Sequence, residues 1–111
     1  MTITETNRIS ELLDLVHDRW FDIAELNWDR DRAFVALRLA RRKKDLGRTT
    51  NDQVTLVIRN AESLKITDTE KVQIYDLNEI TYDDHNQLVT ITGGIPITIQ
   101  VKVTSLHLEV T

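Results

Sequence analysis

The sequence predicts a mainly β domain: an antiparallel meander of six or seven strands, curved or barrel-like, with one N-terminal helix. Three observations predict it. From Ile95 to Val103 every odd residue is apolar (Ile95, Ile97, Ile99, Val101, Val103), with Pro96, Thr98, Gln100 and Lys102 between them. Side chains alternate faces only in a strand, so this run has one dry and one wet face. Val54, Leu56 and Ile58 alternate in the same way, and Asp83-Asp84-His85-Asn86 and Thr92-Gly93-Gly94 read as turns between such runs. Only one early segment, Ile9, Leu12, Leu13 and Val16, follows the helical i, i+3, i+4, i+7 template.

The helix is expected over about residues 7–17, with Thr6 or Asn7 as the N-cap, because their side-chain oxygens can accept a free first-turn amide. Its apolar stripe needs a surface to cover, and a half-wet sheet supplies one. Phe21 to Trp28 reads as a strand, followed by the turn Asp29-Arg30-Asp31-Arg32. Ala33 to Lys44 has two readings. The alternation of Val35, Leu37 and Leu39 favours a strand, whereas the Ala/Leu/Arg content, with Asp31 as a cap and Gly47 beyond, suits a helix. The strand is preferred because it completes a hairpin. The polar stretch from Asp45 to Asp52 reads as a mobile loop.

Leu64 and Ile66 mark a short strand. Val72, Ile74, Ile80 and Tyr82 share one phase, and a bulge near Asp76 would put the intervening polar groups outside. Apolar matching at the next two turns sets Ile80 against Val89, Ile91 against Ile95 and Val89 against Ile97. The second turn is then a three-residue loop with Gly94 in the left-handed position, not a two-residue Gly-Gly turn. After Val103 the phase shifts to Leu106, Leu108 and Val110, which means a bend or bulge at Thr104-Ser105. A straight strand from Ile95 to Val110 would run about 50 Å, far beyond the usual length. Either the sheet curves back to cover this end, or a second subunit covers it.

With 111 residues the chain has the size of one domain, spanning 1–111, able to bury a core without staples. It has no cysteine, so disulfides and thiolate metal sites are excluded. Met1 to Asn7 shows no signal-peptide pattern, and no apolar run approaches the roughly 20 residues of a membrane span. A cytoplasmic protein without membrane association is the expectation. The net charge of −4 is unevenly spread. Arg38, Arg41, Arg42, Lys43, Lys44 and Arg48 form a basic cluster. Asp68, Glu70, Asp76, Glu79, Asp83 and Asp84 form an acidic one.

Chemistry-bearing residues are densest at His17-Asp18-Arg19-Trp20-Phe21-Asp22. A helix there would bring Asp18 and Asp22 onto one face, close enough to share a proton or a metal. An extended chain would separate them by about 13 Å. The simpler reading is a helix-to-strand junction anchored by its aromatics. His85 lies in a turn whose residue types the backbone itself demands. For His107, catalysis would require an acidic partner. The basic cluster lacks interleaved aromatics and the chain is acidic, so nucleic acid is the third-ranked partner. No phosphate loop, nucleophile elbow or metal-ligand spacing is present, and no cofactor or metal is expected.

Val16 to Leu26 (VHDRWFDIAEL), Asn60 to Asp68 (NAESLKITD) and Ile74 to Ile80 (IYDLNEI) together resemble a type of small bacterial single-domain protein of unknown function. The resemblance implies no substrate, cofactor or catalytic residue.

Small antiparallel sheets leave edges that must be covered, charged or paired. The leading functional expectation is therefore a non-enzymatic interaction or assembly module that pairs with other copies or another protein through sheet edges and opposed charge patches. The alternative is a small-ligand site or enzyme centred on His17, Asp18, Arg19, Trp20 and Asp22.

Overall fold

A computed structural model describes residues 1–111 and contains one α-helix and ten strands in two antiparallel five-stranded sheets. The first sheet runs β1 (Thr2–Ile3), β10 (Leu108–Val110), β5 (Val54–Arg59), β4 (Phe34–Leu39), β3 (Asn27–Asp29). The second runs β2 (Trp20–Asp22), β7 (Ile74–Asp83), β8 (Leu88–Gly93), β9 (Thr98–Val103), β6 (Ala61–Thr67). The mainly β, curved architecture with a single N-terminal helix is the one the alternation predicts. The strand count exceeds six or seven partly because one expected strand is divided and Thr2–Ile3 adds a short one.

The helix α1 (Ile9–Val16) follows a 3-10 turn at Thr6–Arg8 and buries Ile9, Leu12 and Val16. Neither Thr6 nor Asn7 caps it; Arg8 holds the cap position and no side chain accepts there. The expected strand from Phe21 to Trp28 is interrupted by a 3-10 turn at Ile23–Glu25. Asp22 causes the break: its carboxylate accepts the Ala24 amide at 2.9 Å, which bends the chain at the cap. As a result β2 pairs with β7 and β3 pairs with β4, in different sheets.

The strand reading of Ala33 to Lys44 holds for Phe34–Leu39, where Val35, Leu37 and Leu39 are buried. It does not reach Lys44. Ala40 instead exchanges two backbone hydrogen bonds with Trp20, at 2.8 and 2.9 Å, and Lys43–Asp45 turns as a 3-10 helix. That bridge joins the end of β4 to β2 and so links the two sheets.

The other link is a shared ribbon. β5 runs into β6 and β9 runs into β10, and the two long strands stay paired throughout, from Ile66 opposite Ile99 to Ile58 opposite Leu108. Both bend at the same level. Asn60 adopts a left-handed φ of 58°, its carbonyl accepts the Thr104 amide at 3.0 Å, and its side chain donates to the Ser105 hydroxyl at 2.9 Å. Asparagine tolerates that conformation better than most residues. The bend accounts for the phase change at Thr104-Ser105. Leu106, Leu108 and Val110 are buried within the same chain, as a sheet curving back on itself requires.

The β7-β8-β9 meander forms, with different registers. Ile80 faces Ile91, Val89 faces Val101 and Ile91 faces Ile99, rather than Val89, Ile97 and Ile95. The slips are two residues at the first turn and four at the second. Both are even, so Ile80, Val89 and Ile91 still meet apolar partners, and face matching alone does not distinguish such registers. Local chemistry decides instead. The Asp83 carboxylate accepts the amides of His85 and Asn86, and Gln87 turns left-handed at φ 53°, so the strand resumes only at Leu88. At the second turn Pro96 has no amide for the ladder. The Ile95 amide binds the Asp76 carboxylate at 2.9 Å, and the strand resumes at Thr98. Gly94 is not left-handed; only Gly47 among the glycines is.

A bulge does interrupt β7, between Leu77 and Glu79. Tyr75 and Leu77 are buried before it and Ile80 after it, while Val72 is 50% exposed. The phase assigned to Val72 and Ile74 is thus the outer one, because the bulge separates two inward phases of opposite parity. Twenty-three buried residues from α1 and both sheets form one hydrophobic cluster.

Ala33 holds a left-handed φ of 56°. Its carbonyl accepts the Ala61 amide at 2.9 Å, which pins the turn before β4 to the ribbon bend. A left-handed conformation costs a residue with a Cβ roughly 1–2 kcal/mol, and glycine avoids that cost while losing more chain entropy on folding. Ala33→Gly is expected to raise unfolding free energy by about 0.5–1 kcal/mol in urea titration.

Candidate functional site

The segment His17 to Asp22 leaves α1, turns at Asp18 (φ 66°) and becomes β2. The backbone of Asp18 and Arg19 pairs with Leu77 through two hydrogen bonds of 2.8 Å, extending the β2–β7 ladder. The chain is therefore extended between Asp18 and Asp22, and the two carboxylates have separate partners. Asp18 meets His17 Nδ1 at 3.2 Å. Asp22 accepts the Ala24 amide and the Gln73 side-chain amide, at 2.9 and 3.0 Å.

A shallow, mostly polar cavity of about 260 Å³ does open at this junction. It is lined by Asp14, Leu15, His17, Asp18, Arg19 and Arg41. Three residues of the sequence cluster thus reach it, joined by Asp14 from the helix and Arg41 from the basic segment. Trp20 and Asp22 do not line it. Trp20 lies in the sheet ladder opposite Asp76 and carries the Lys43 ammonium 5.5 Å above its ring. Arg19 is committed to structure: Nε donates to the Leu15 carbonyl at 2.8 Å, and Nη1 donates to the Asp52 carbonyl. Burial and the nearby Arg41 push its guanidinium below the ordinary arginine range. Asp14 and Arg41 have no ion-pair partner.

The basic cluster divides in the same manner. Arg42 binds the buried carboxylate of Asp45 at 2.9 Å, and Lys43 rests on Trp20. The Arg48 carbonyl accepts from the Gln53 side chain. Arg38, Arg41, Lys44 and the Arg48 guanidinium face solvent without an ion pair. On the acidic side, Asp68, Asp76 and Asp83 accept the amides of Lys71, Ile95 and His85, so these carboxylates organise turns. Asp68 also takes the hydroxyl of the buried Tyr75, whose pKa burial raises. Among the six acidic residues, Glu70, Glu79 and Asp84 make no such bond.

A further cluster occupies the outer face of the first sheet. Arg59 on β5 holds Glu109 on β10 through two bonds of 3.0 and 3.2 Å. His107 Nε2 lies 3.0 Å from the same carboxylate, and the Arg59 guanidinium lies 5.8 Å from the Phe34 ring centre. Alternation alone places His107 and Glu109 on one wet face. Arg59 is fifty residues away and joins them only through the β5–β10 register. The hydrogen bond and charge of Arg59 hold the Glu109 carboxyl below the usual carboxylate range and push Arg59 itself up.

The second feature that residue patterns miss is the edge of the second sheet. β6 pairs only with β9. From Glu62 to Thr67, no backbone group bonds to anything else. Leu64 and Ile66 lie on the core side opposite Val101 and Ile99, yet Ile66 is 38% exposed because no strand follows. The exposed Val72 stands beyond the end of this strand, held by left-handed Lys71 and Gln73 on either side.

No protein-family model and no curated protein matches this chain.

Glu109 carries a depressed folded-state pKa, so its contribution to stability is present above the ordinary glutamate pKa and is lost as pH falls through the depressed value. Thermal melts from pH 7 to 3 should show this acid-side loss. Glu109→Gln should lower the melting temperature at pH 7 and flatten the acid limb; an unchanged limb would remove Glu109 as its source.

Proposed function

We propose that this chain is a non-enzymatic protein-interaction or assembly module of the cytoplasm, and that β6 is its docking edge. One observation carries the reading: a seven-residue strand ends the second sheet with one side unpaired and Ile66 open beside it. Unpaired strand edges are templates for another strand, because their amides and carbonyls lie in a row at ladder spacing. The other free edges are short. β3 and β2 have three residues each, and β1 has two. The bulge between Ala61 and Ser63 blunts one end of β6, and Lys65 adds a charge, so the edge is limited but not closed.

The charge patches support this reading as steering elements. Arg38, Arg41, Lys44 and Arg48 at the β4 end, and Glu70, Glu79 and Asp84 elsewhere, raise encounter rates in a salt-dependent way and add little affinity. A small-ligand site is the second reading, favoured by the cavity where Asp14 and Arg41 face solvent without ion pairs.

Amide hydrogen exchange tests the edge. A synthetic peptide with the β9 sequence, Thr98 to Val103, forms a strand that β6 already accepts on its other side. Titrating it into the protein should slow exchange of the unpaired amides between Glu62 and Thr67 and leave those of β3 unchanged. If the β6 edge amides exchange at the same rate with peptide and at high protein concentration, β6 is not a docking edge.

A further inference from the structure

We infer that the strand that docks on β6 is β6 of a second copy of this chain, antiparallel about a two-fold axis at Leu64, so that two second sheets become one ten-stranded sheet. This rests on the reading of β6 as a docking edge and names its occupant.

The argument begins with order. Antiparallel pairing of identical strands reverses one against the other, so each end of β6 meets the opposite end of its copy. β6 carries one acid, Glu62, towards its start and one base, Lys65, towards its end. Both are exposed, and neither makes an ion pair or side-chain hydrogen bond within the chain. Reversal brings each Glu62 end beside the Lys65 end of the other copy. A two-fold axis makes this contact twice. Parallel pairing would instead set like beside like.

The pleat then narrows the register. Leu64 and Ile66 face the core side. Only pairings that oppose even residues to even residues keep the dry face continuous across the junction, and these lie two residues apart. Centring on Lys65 sets Lys65 against itself, and like charges directly opposite are destabilising. Centring on Ser63 sets Leu64 against Glu62 and Ile66 against Asn60, so neither apolar side chain of β6 meets another. Centring on Leu64 sets Leu64 against Leu64 of the second copy, Ser63 against its Lys65 and Ile66 against its Glu62, and so keeps one apolar pair at the axis. That lysine then lies one residue from Glu62, which sits in the bulge between Ala61 and Ser63. In that register the open flank of the barrel closes over Leu64, the side chain that the missing neighbour leaves half-covered.

Five or so paired residues and two apolar side chains make a small interface, below the area of stable permanent dimers. The association is therefore concentration-dependent and weakens with salt.

A charge exchange measures it. Glu62 and Lys65 are solvent-facing, so their substitution leaves the fold intact, as circular dichroism will show. Sedimentation equilibrium of the full chain at low salt should give reversible dimerisation. E62K alone and K65E alone should each weaken it about fivefold or more, since attraction becomes repulsion at two symmetric contacts. The double variant E62K/K65E should return to within about twofold of the parent chain, and an equimolar mixture of the two single variants should form the mixed dimer preferentially. A parent chain that stays monomeric into the millimolar range overturns the inference, as do single variants that dimerise like the parent. If the β9-sequence peptide still protects the β6 amides in that case, the docking edge stands and only the second copy is excluded; if neither occurs, both readings fall.

Discussion

The shared bend of two paired strands is the constraint on which the rest of the structure depends. β5–β6 and β9–β10 form one ribbon that belongs to both sheets. It changes sheet at a single level, fixed by Asn60 on one strand and Thr104-Ser105 on the other. A strand that bends alone would break its ladder. Two strands that bend together keep it, because the Asn60 carbonyl and side chain replace the pairing lost at the corner. The bend turns Leu106, Leu108 and Val110 inward and carries β6 to the far edge of the second sheet. The apolar cluster and the open edge therefore follow from one corner.

The second organising element is the use of carboxylates as backbone partners. Asp22, Asp68, Asp76 and Asp83 each accept a main-chain amide at a turn or strand end. With three glycines and one proline, this chain makes its turns with aspartate caps and with six non-glycine residues at positive φ. A carboxylate bound to an amide has a fixed direction, so much of the local acidity is architecture. Within the basic and acidic clusters, the groups left for encounters with other molecules are fewer than the raw charge suggests: Arg38, Arg41, Lys44 and Arg48 in one, Glu70, Glu79 and Asp84 in the other.

Which faces are dry was legible in the alternation of Val35 to Leu39, Val54 to Ile58 and Ile95 to Val103, and with it the fold class and the single helix. Strand register was not. Parity restricts pairing to alternate residues, and the choice among these fell to local groups such as the missing amide of Pro96 and the carboxylates of Asp76 and Asp83. The continuous run from Phe21 to Trp28 hid a break because its cause is one capping hydrogen bond, donated by the Ala24 amide to the Asp22 carboxylate. At the candidate site, sequence proximity drew together His17, Asp18, Arg19, Trp20 and Asp22. The fold brings only the first three to the cavity, and Arg41 arrives from more than twenty residues away. The Arg59–Glu109–His107 group and the β6 edge depend on long-range pairing, which no local pattern encodes.

The same ribbon has a consequence for how the chain reaches this shape. The hairpins β3-β4 and β7-β8-β9 close over four-residue loops and β4-β5 over a longer one, whereas β5–β6 meets β9–β10 only after a long intervening stretch has been ordered. Loop-closure entropy sets local hairpins early and the distant ribbon late. Until the ribbon zips, β6 has two bare sides, and the chain passes through a form in which the segment that ends as an edge is at its stickiest. Newly made or briefly opened molecules are thus the state in which crowding decides between folding and coalescence. Lys65 and the bulge at Glu62 act as safeguards in that state, keeping β6 from laying down unlimited ladders before β9 arrives.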